Sequence, residues 1–298
     1  MEDYIINNKL INVDKWHLYI DDLKKVNSIT ENNKEEAIKL LDEFLVKAIK
    51  LRVSNLDKFG IMFSGGLDCS VIAKICKDLG KKFICYTVGF EGSKDVIYAR
   101  KAAKLMNLNL KIKIINEKEL DNTLKNVVKI LNSTNPVYVS IGCVTFAGLK
   151  FAKENNENVV LNGLGAEEIF CGYQRHLKDD GEKIHEESWR GLREMWKVDL
   201  IRDYLIAKDL DIEVRTPFMD RDLIVNAMKI DPSLKINKEM KKIILREYAK
   251  KIKVPEEIAL RPKTAGQYGS GINQNIKKLT KQNKLNYVKE YLQNLENS

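Results

Sequence analysis

An α/β fold, a doubly wound parallel sheet with a helical C-terminal part, is predicted by three observations. Apolar runs at 59–63, 83–88 and 158–161 alternate with amphipathic helical stretches. Strands that read as continuous apolar runs belong to a parallel sheet covered on both faces. Two of these runs end in glycine turns that lead straight into helices, at 64–70 and 162–168. From about residue 181 the pattern changes, and only helices follow.

In chain order, Tyr4-Ile5-Ile6 and the apolar stretch 16–20 flank a turn at Asn7-Asn8-Lys9, which predicts a small hairpin. Residues 21–31 are polar and read as a linker. Asn32 with Glu35 opens a helix carrying Ala37, Leu41, Phe44, Leu45 and Ala48 at helical spacing to about 51. The 59–63 strand stops at Ser64-Gly65-Gly66, and a helix begins near Asp68 with Val71, Ile72, Ile75 and Leu79 on one face. A second strand covers 82–89, and Ser93 caps the helix of Val96, Ala99, Ala103 and Met106. A third strand, 108–115, precedes an amphipathic helix at 117–131. Asn135-Pro136 breaks the chain before an apolar helix at 139–153, and 158–161 is the fourth strand. Beyond 181, helices are expected at 189–206, 223–230, 238–248 and 285–295, with no further strand. The Lys/Asn-rich tail beyond about 273 reads as partly mobile. Three segments result: 1–30, a hairpin and linker; 31–272, the main domain; and 273–298, a helical tail.

The 298 residues, 44% hydrophobic, suffice for a sizeable core. The net charge of +9 favours anionic partners, but the lysines are scattered over most predicted helix faces rather than blocked. Nucleic acid is therefore not the expected partner. The five cysteines form no Cys-x-x-Cys pair, and with three histidines there is neither a zinc nor a disulfide framework. No signal peptide and no apolar run long enough for a membrane span appears, so a reducing, cytoplasmic setting is expected.

Chemistry concentrates in the two glycine turns. In Ser64-Gly65-Gly66-Leu67-Asp68-Cys69-Ser70, the glycines let backbone approach a ligand, and the N–H groups of the helix start favour an anion. A carboxylate at Asp68, beside a phosphate, implies a bridging cation. Neither a Walker loop nor a dinucleotide fingerprint fits the spacing. In Asn162-Gly163-Leu164-Gly165-Ala166-Glu167-Glu168, the acids cap the following helix or complete an oxygen cage with Asp68.

The first turn resembles the Ser-Gly-Gly-x-Asp-Ser pyrophosphate loop of ATP pyrophosphatases. The second, read through to Phe170-Cys171-Gly172-Tyr173, resembles the Ser-Gly-x-Gly-Ala-Asp-Glu-x-Phe-Gly-Gly-Tyr signature of asparagine synthetases. Four further strings match that family in order: 87–95, Glu213-Val214-Arg215-Thr216-Pro217-Phe218-Met219-Asp220, 240–246, and Arg261-Pro262-Lys263 followed by 269–271. The resemblance is to the synthetase domain. It implies an adenine nucleotide α-hydrolase-like, Rossmann-like layout and an AMP- and pyrophosphate-forming amide ligase that uses ATP and Mg²⁺. By position, Ser64, Gly65, Gly66, Asp68 and Ser70 would hold pyrophosphate. Phe63, Val88, Asn162 and Gly163 would face adenine and ribose. Asp68 and Glu167 would bind Mg²⁺. Lys263 would neutralise the α-phosphate, with Lys242 a further phosphate ligand, and Asp220 would shape the acceptor side, compatibly with a helix N-cap. The substrates implied are a small-molecule carboxylate and ammonia or an amine, and a homodimer is one option for assembly.

The chain departs from the family in several places. It begins Met1-Glu2 and its first cysteine is Cys69, so the N-terminal glutaminase domain is expected to be absent. Ammonia would then come free or from a separate glutaminase subunit, or another amine would replace it. Leu164 stands where the family has Glu, Glu167 where it has Asp, Cys171 where it has Gly and Asn162 where it has Ser. Leu164 puts aspartate in question as the carboxylate. Two other readings remain: an RNA-modifying ATP pyrophosphatase, and a nucleotide-binding regulatory protein without catalysis.

Overall fold

Among the described residues seven strands form, and the four central apolar runs account for four of the five in the main sheet. The computed structural model describes residues 4–6, 8–178 and 181–296. Asn7 of the expected turn, Met1-Glu2 and the outer ends of the two terminal segments lie outside the described residues. Strands β1 (Ile5–Ile6) and β2 (Lys9–Leu10) form a two-stranded hairpin. The main sheet holds β3 (Phe59–Met62), β4 (Phe83–Gly89), β5 (Leu110–Ile114), β6 (Val159–Leu161) and β7 (Glu213–Arg215) in the order β5-β4-β3-β6-β7, all parallel. The chain winds outward from β3 through β4 to β5, then returns to the other side of β3 as β6. That reversal puts the switch point between β3 and β6, where ligands of such sheets bind at the carboxyl ends of the strands.

Helices cover both faces. Helices α1 (Val13–Lys25), α2 (Lys34–Val53), α3 (Leu67–Asp78) and α4 (Lys94–Met106) bury one apolar cluster with Phe59, Ile61 and Phe63. Helices α5 (Glu117–Leu131) and α6 (Pro136–Glu154) lie on the opposite face with Tyr86, Val88 and Val160. Local signals place these ends. Asn116 and Glu119 make a reciprocal capping box at 3.0 Å each, and Asn135 caps α6 ahead of Pro136. The C-terminal part adds α7 (Ala166–Ile169), α8 (Gly181–Met195), α9 (Ile201–Asp209), α10 (Arg221–Met228), α11 (Pro232–Lys235), α12 (Ile243–Lys251), α13 (Glu256–Ala259), α14 (Gly266–Gly269), α15 (Ile272–Gln282) and α16 (Val288–Glu296). Among the described residues no helix is long and apolar enough to cross a membrane.

Several expectations need correction. The stretch 16–20 is not a hairpin strand but the middle of α1, which also takes in 21–25 of the expected linker 21–31. Trp16, Ile20 and Leu23 repeat at helical spacing and are buried, and the Trp16 indole donates to the Leu192 carbonyl at 3.0 Å, fastening α1 to α8. The start of α2 is capped by Asn33, one residue after the expected Asn32. Ser93 occupies the cap position of α4, yet its hydroxyl makes no capping bond. The single helix expected at 189–206 begins at Gly181 and is interrupted by a π-helical turn, Trp196–Leu200. The helix expected at 238–248 starts at Ile243, after a bridge between Ile236 and Lys241. A strand does exist beyond 181: β7 extends the sheet by three residues, too short to show a period. Residues after 273 continue α15, whose Ile272, Ile276 and Leu279 are buried with α5 and α6.

Asp220 belongs to this framework. Its Oδ1 accepts from the backbone N–H of Asp222 and Leu223 at 3.1 and 3.2 Å, capping α10. Its Oδ2 accepts from Arg52 Nη1 at 2.8 Å, with side chains only 3% and 12% exposed. Removing one member of a buried pair leaves the other charge uncompensated. Asp220→Ala should cost about 3 kcal/mol, the sum of a lost cap and a broken buried pair. Asp220→Asn, which keeps the cap, should cost less. Urea midpoints of the two variants check the order.

Candidate active site

The two glycine turns stand side by side because β3 and β6 are neighbours. Gly65 has φ +66°, and a Cβ there would lie 2.4 Å from the Tyr98 carbonyl oxygen, so only glycine fits. A Cβ on Gly163 would sit 3.0 Å from Asp68 Cβ, which measures how closely the second turn approaches the first. Between them lies a cavity of about 310 Å³. Of the residues singled out in the sequence, Phe63, Ser64, Gly66, Asp68, Val88, Asn162, Gly163, Lys242 and Lys263 line it. Gly65 lies beneath the turn against Tyr98, and Ser70 is buried with its hydroxyl unbonded among the described residues. Asp220 and Glu167 are not in the lining, Glu167 lying behind Lys242 and Lys263, to which it is bonded. A wider groove of about 530 Å³ between α1 and α8 contains no residue of either turn.

Four charged groups meet at one end of the cavity. Lys242 Nζ donates to both Asp68 oxygens at 2.8 Å and to Glu167 Oε1 at 2.6 Å. Lys263 Nζ donates to the same Glu167 oxygen. The Lys242 side chain is 3% exposed and that of Lys263 38%, so solvent screens the second pair more than the first. Burial alone would raise Glu167, but Lys242 and Lys263 outweigh it and hold it well below the ordinary carboxylate range. Burial lowers Lys263, yet Glu167 and Asp68 carry it above the usual lysine value. Gly172 makes room: a Cβ there would lie 1.9 Å from Glu167 Oε2 and 2.4 Å from Lys242 Cε.

Sequence reasoning missed the groups that hold the first turn in place. Arg261 Nη1 donates to the Ser64 carbonyl at 2.6 Å, Nη2 to Asp95 at 2.7 Å, and its guanidinium stacks 4.1 Å from the Tyr98 ring. Thr87 donates to the Phe63 carbonyl, and the Ser270 carbonyl accepts from Phe90 N–H at 2.9 Å. The strings 87–95 and 261–263 thus converge on the first turn, and 269–271 packs against 87–95. Their joint presence was the available signal, since none of these side chains is distinctive alone.

Behind Glu167, Glu168 is buried, accepts from the Tyr173 hydroxyl at 2.8 Å through Oε1, and leaves Oε2 without a partner among the described residues. Burial, and then the charge of Asp199, push it up to about 7. An unfolded glutamate releases its proton near 4.5, whereas this one holds it to about 7. The native state therefore loses stability as pH rises from 4.5 to 7 and is level beyond. Glu168→Gln has no such proton. Its stability relative to the native protein should rise by about 2 to 3 kcal/mol between pH 4.5 and 8, at about 1.4 kcal/mol per pKa unit. Urea midpoints at the two pH values measure it.

Comparison with known proteins follows the same strings. The Asparagine synthase family model matches residues 40–182 and 177–286. A putative glutamine-hydrolyzing asparagine synthetase of Methanocaldococcus jannaschii is 33% identical over 300 residues, covering 88% of this chain and 55% of its own length. A probable glutamine-hydrolyzing asparagine synthetase of Acanthamoeba polyphaga mimivirus is 31% identical, covering 86% and 48%, and the Rattus norvegicus asparagine synthetase 30%, covering 73% and 41%. The chain spans about half the length of these curated relatives. With the family model matched along most of its length and both glycine turns in their expected places, the chain belongs to the asparagine synthase family.

Proposed function

We propose that this chain is an ATP-dependent, AMP- and pyrophosphate-forming amide ligase. The observation that carries the reading is the convergence of Asp68 and Glu167, one from each glycine turn, on Lys242 and Lys263 beside the 64–68 loop. In the first step a substrate carboxylate oxygen attacks the α-phosphorus of ATP, the bond to the bridging oxygen breaks, and pyrophosphate leaves. In the second an amine nitrogen attacks the acyl carbon, the acyl–oxygen bond breaks, AMP leaves, and the nitrogen sheds a proton.

The residues present suit a divalent ion. Asp68 and Glu167 offer hard oxygens around a point that an ammonium fills, and Glu167 Oε2 is buried with no partner among the described residues. Bound Mg²⁺ would supply charge neutralisation for the leaving pyrophosphate. The backbone N–H groups of the 64–68 loop would hold phosphate oxygens, and Lys263, freed from Glu167, would turn to the α-phosphate as its charge grows. Phe63, Val88, Asn162 and Gly163 would face adenine and ribose. The relatives are named for glutamine hydrolysis, and here ammonia would arrive free, from a separate glutaminase subunit, or be replaced by another amine.

The test is ATP-dependent pyrophosphate release with Mg²⁺ against a panel of carboxylates, with and without ammonium. Release that depends on one carboxylate supports the ligase. Nucleotide binding with silence across the panel would favour a regulatory nucleotide-binding protein, and release triggered only by RNA would favour an RNA-modifying enzyme. Asp68→Asn should reduce release at least a hundredfold, as should metal chelation, while the fold is kept. Lys263→Ala should lower the rate of pyrophosphate release at least tenfold with less than a threefold change in ATP affinity, because its contact strengthens only as charge develops. Single-turnover rates and equilibrium nucleotide binding separate the two effects.

A further inference from the structure

The nucleotide cavity has a neighbour. Asn162, Leu164 and Asp203 line it and also line a second cavity of about 520 Å³. The second cavity is bounded by the β1–β2 hairpin, α9 and β7, and Leu164, Leu200, Ala207, Ile212 and Val214 make its walls largely apolar. The partition between the cavities is therefore one carboxylate, one amide and one leucine.

Asp203 is held on one oxygen only. Its Oδ1 accepts from Arg202 Nε at 2.8 Å and from Thr145 Oγ1 at 3.1 Å. No donor among the described residues reaches Oδ2. The other acids of this cavity are engaged: Glu213 with Arg215 at 2.8 Å, and Asp211 with Lys153 at 3.2 Å. Lys208, the one lysine in the lining, is exposed at the solvent edge. A buried carboxylate with an oxygen to spare, above apolar walls, suits a cation with an apolar body. The size agrees, because a molecule as small as ammonia or water needs only about 30 Å³.

We propose that the second cavity binds the amine substrate, and that this substrate is a primary amine with an apolar body whose ammonium pairs with Asp203 Oδ2. The body lies along Leu164, Ile212 and Val214, the nitrogen points across the partition toward the nucleotide cavity, and one ammonium proton passes to Asp203 Oδ2 before the free amine attacks. The role as substrate rests on the ligase reading, whereas the binding does not. Leu164 then acquires a purpose: it is part of an apolar wall where a charged side chain would compete with Asp203 for the ammonium.

The test titrates phenethylamine into the full chain with MgATP present, read by saturation-transfer NMR. Ammonium, 2-phenylethanol and 3-phenylpropanoate serve as controls. Phenethylamine should bind at least tenfold tighter than each control. Asp203→Asn should weaken the amine at least tenfold and leave the alcohol unchanged, as loss of a charge-assisted bond implies. Arg202 keeps Asp199 at 2.9 Å, so this variant retains a partner for the buried guanidinium. Val214→Phe, which fills the cavity from the edge strand, should weaken the amine without touching ATP affinity. Equal binding of amine and alcohol, tighter binding of the carboxylate, or undiminished amine binding in either folded variant overturns the proposal. ATP affinity is measured on the same samples. Amine binding that survives without ATP binding would defeat the ligase reading alone, and ATP binding without amine preference would defeat this inference alone.

Discussion

Two carboxylates and two lysines, brought from four distant parts of the chain, set the arrangement on which the site depends. Asp68 sits in the first turn of α3, Glu167 in that of α7, Lys242 immediately before α12 and Lys263 in the loop after α13. Sequence separations of 174, 75 and 96 residues are closed by these contacts. Each buried ion costs several kcal/mol to desolvate unless it is paired. Any one of the four, left alone, would be a liability, so they specify one another's positions. Their charges sum to zero, so within the cluster each ion is matched by another.

The glycine turns were legible because their signal is local: an apolar run, two small residues and an amphipathic start within ten positions. The four members of the charge cluster were singled out only through the family resemblance, and composition did not announce their contact. Lys242 follows Lys241 in a lysine-rich chain, and nothing in composition distinguishes the side chain that is buried from the one beside it. Burial is a tertiary fact. The same holds for Asp95 and Arg261, which lie 166 positions apart in matched strings and whose pairing no string announces. Other misreadings were failures of weighting. Ile272, Ile276 and Leu279 stand at helical spacing in the sequence, yet the lysines around them dominated the reading. Trp16, Ile20 and Leu23 likewise carry a helical period that a short apolar run conceals.

Strain gathers around the same cluster. Lys242 adopts φ +57° immediately before α12, and Cys171 adopts φ +57° immediately before Gly172. A non-glycine residue held left-handed costs about 1 to 2 kcal/mol. At Cys171 the resembled signature has glycine, the residue that takes this conformation without penalty. The chain keeps the backbone shape while giving up the side chain suited to it. At Lys242 the conformation aims an ammonium between two carboxylates, and the ion pairs offset the strain.

The β7 edge strand carries a consequence of another kind. The separation of the two glycine turns is fixed by the spacing of adjacent hydrogen-bonded strands, about 4.8 Å. The second cavity instead is walled by the last strand of the sheet, one helix and a two-stranded hairpin, elements with a free border to move against. Mutations there can reshape what is admitted while the central ruler stays unmoved. Under the proposed ligase reading, a fold divided in this way separates the part that would hold the nucleotide from the part that can drift, and so could take new acceptors while the nucleotide side stays as it is.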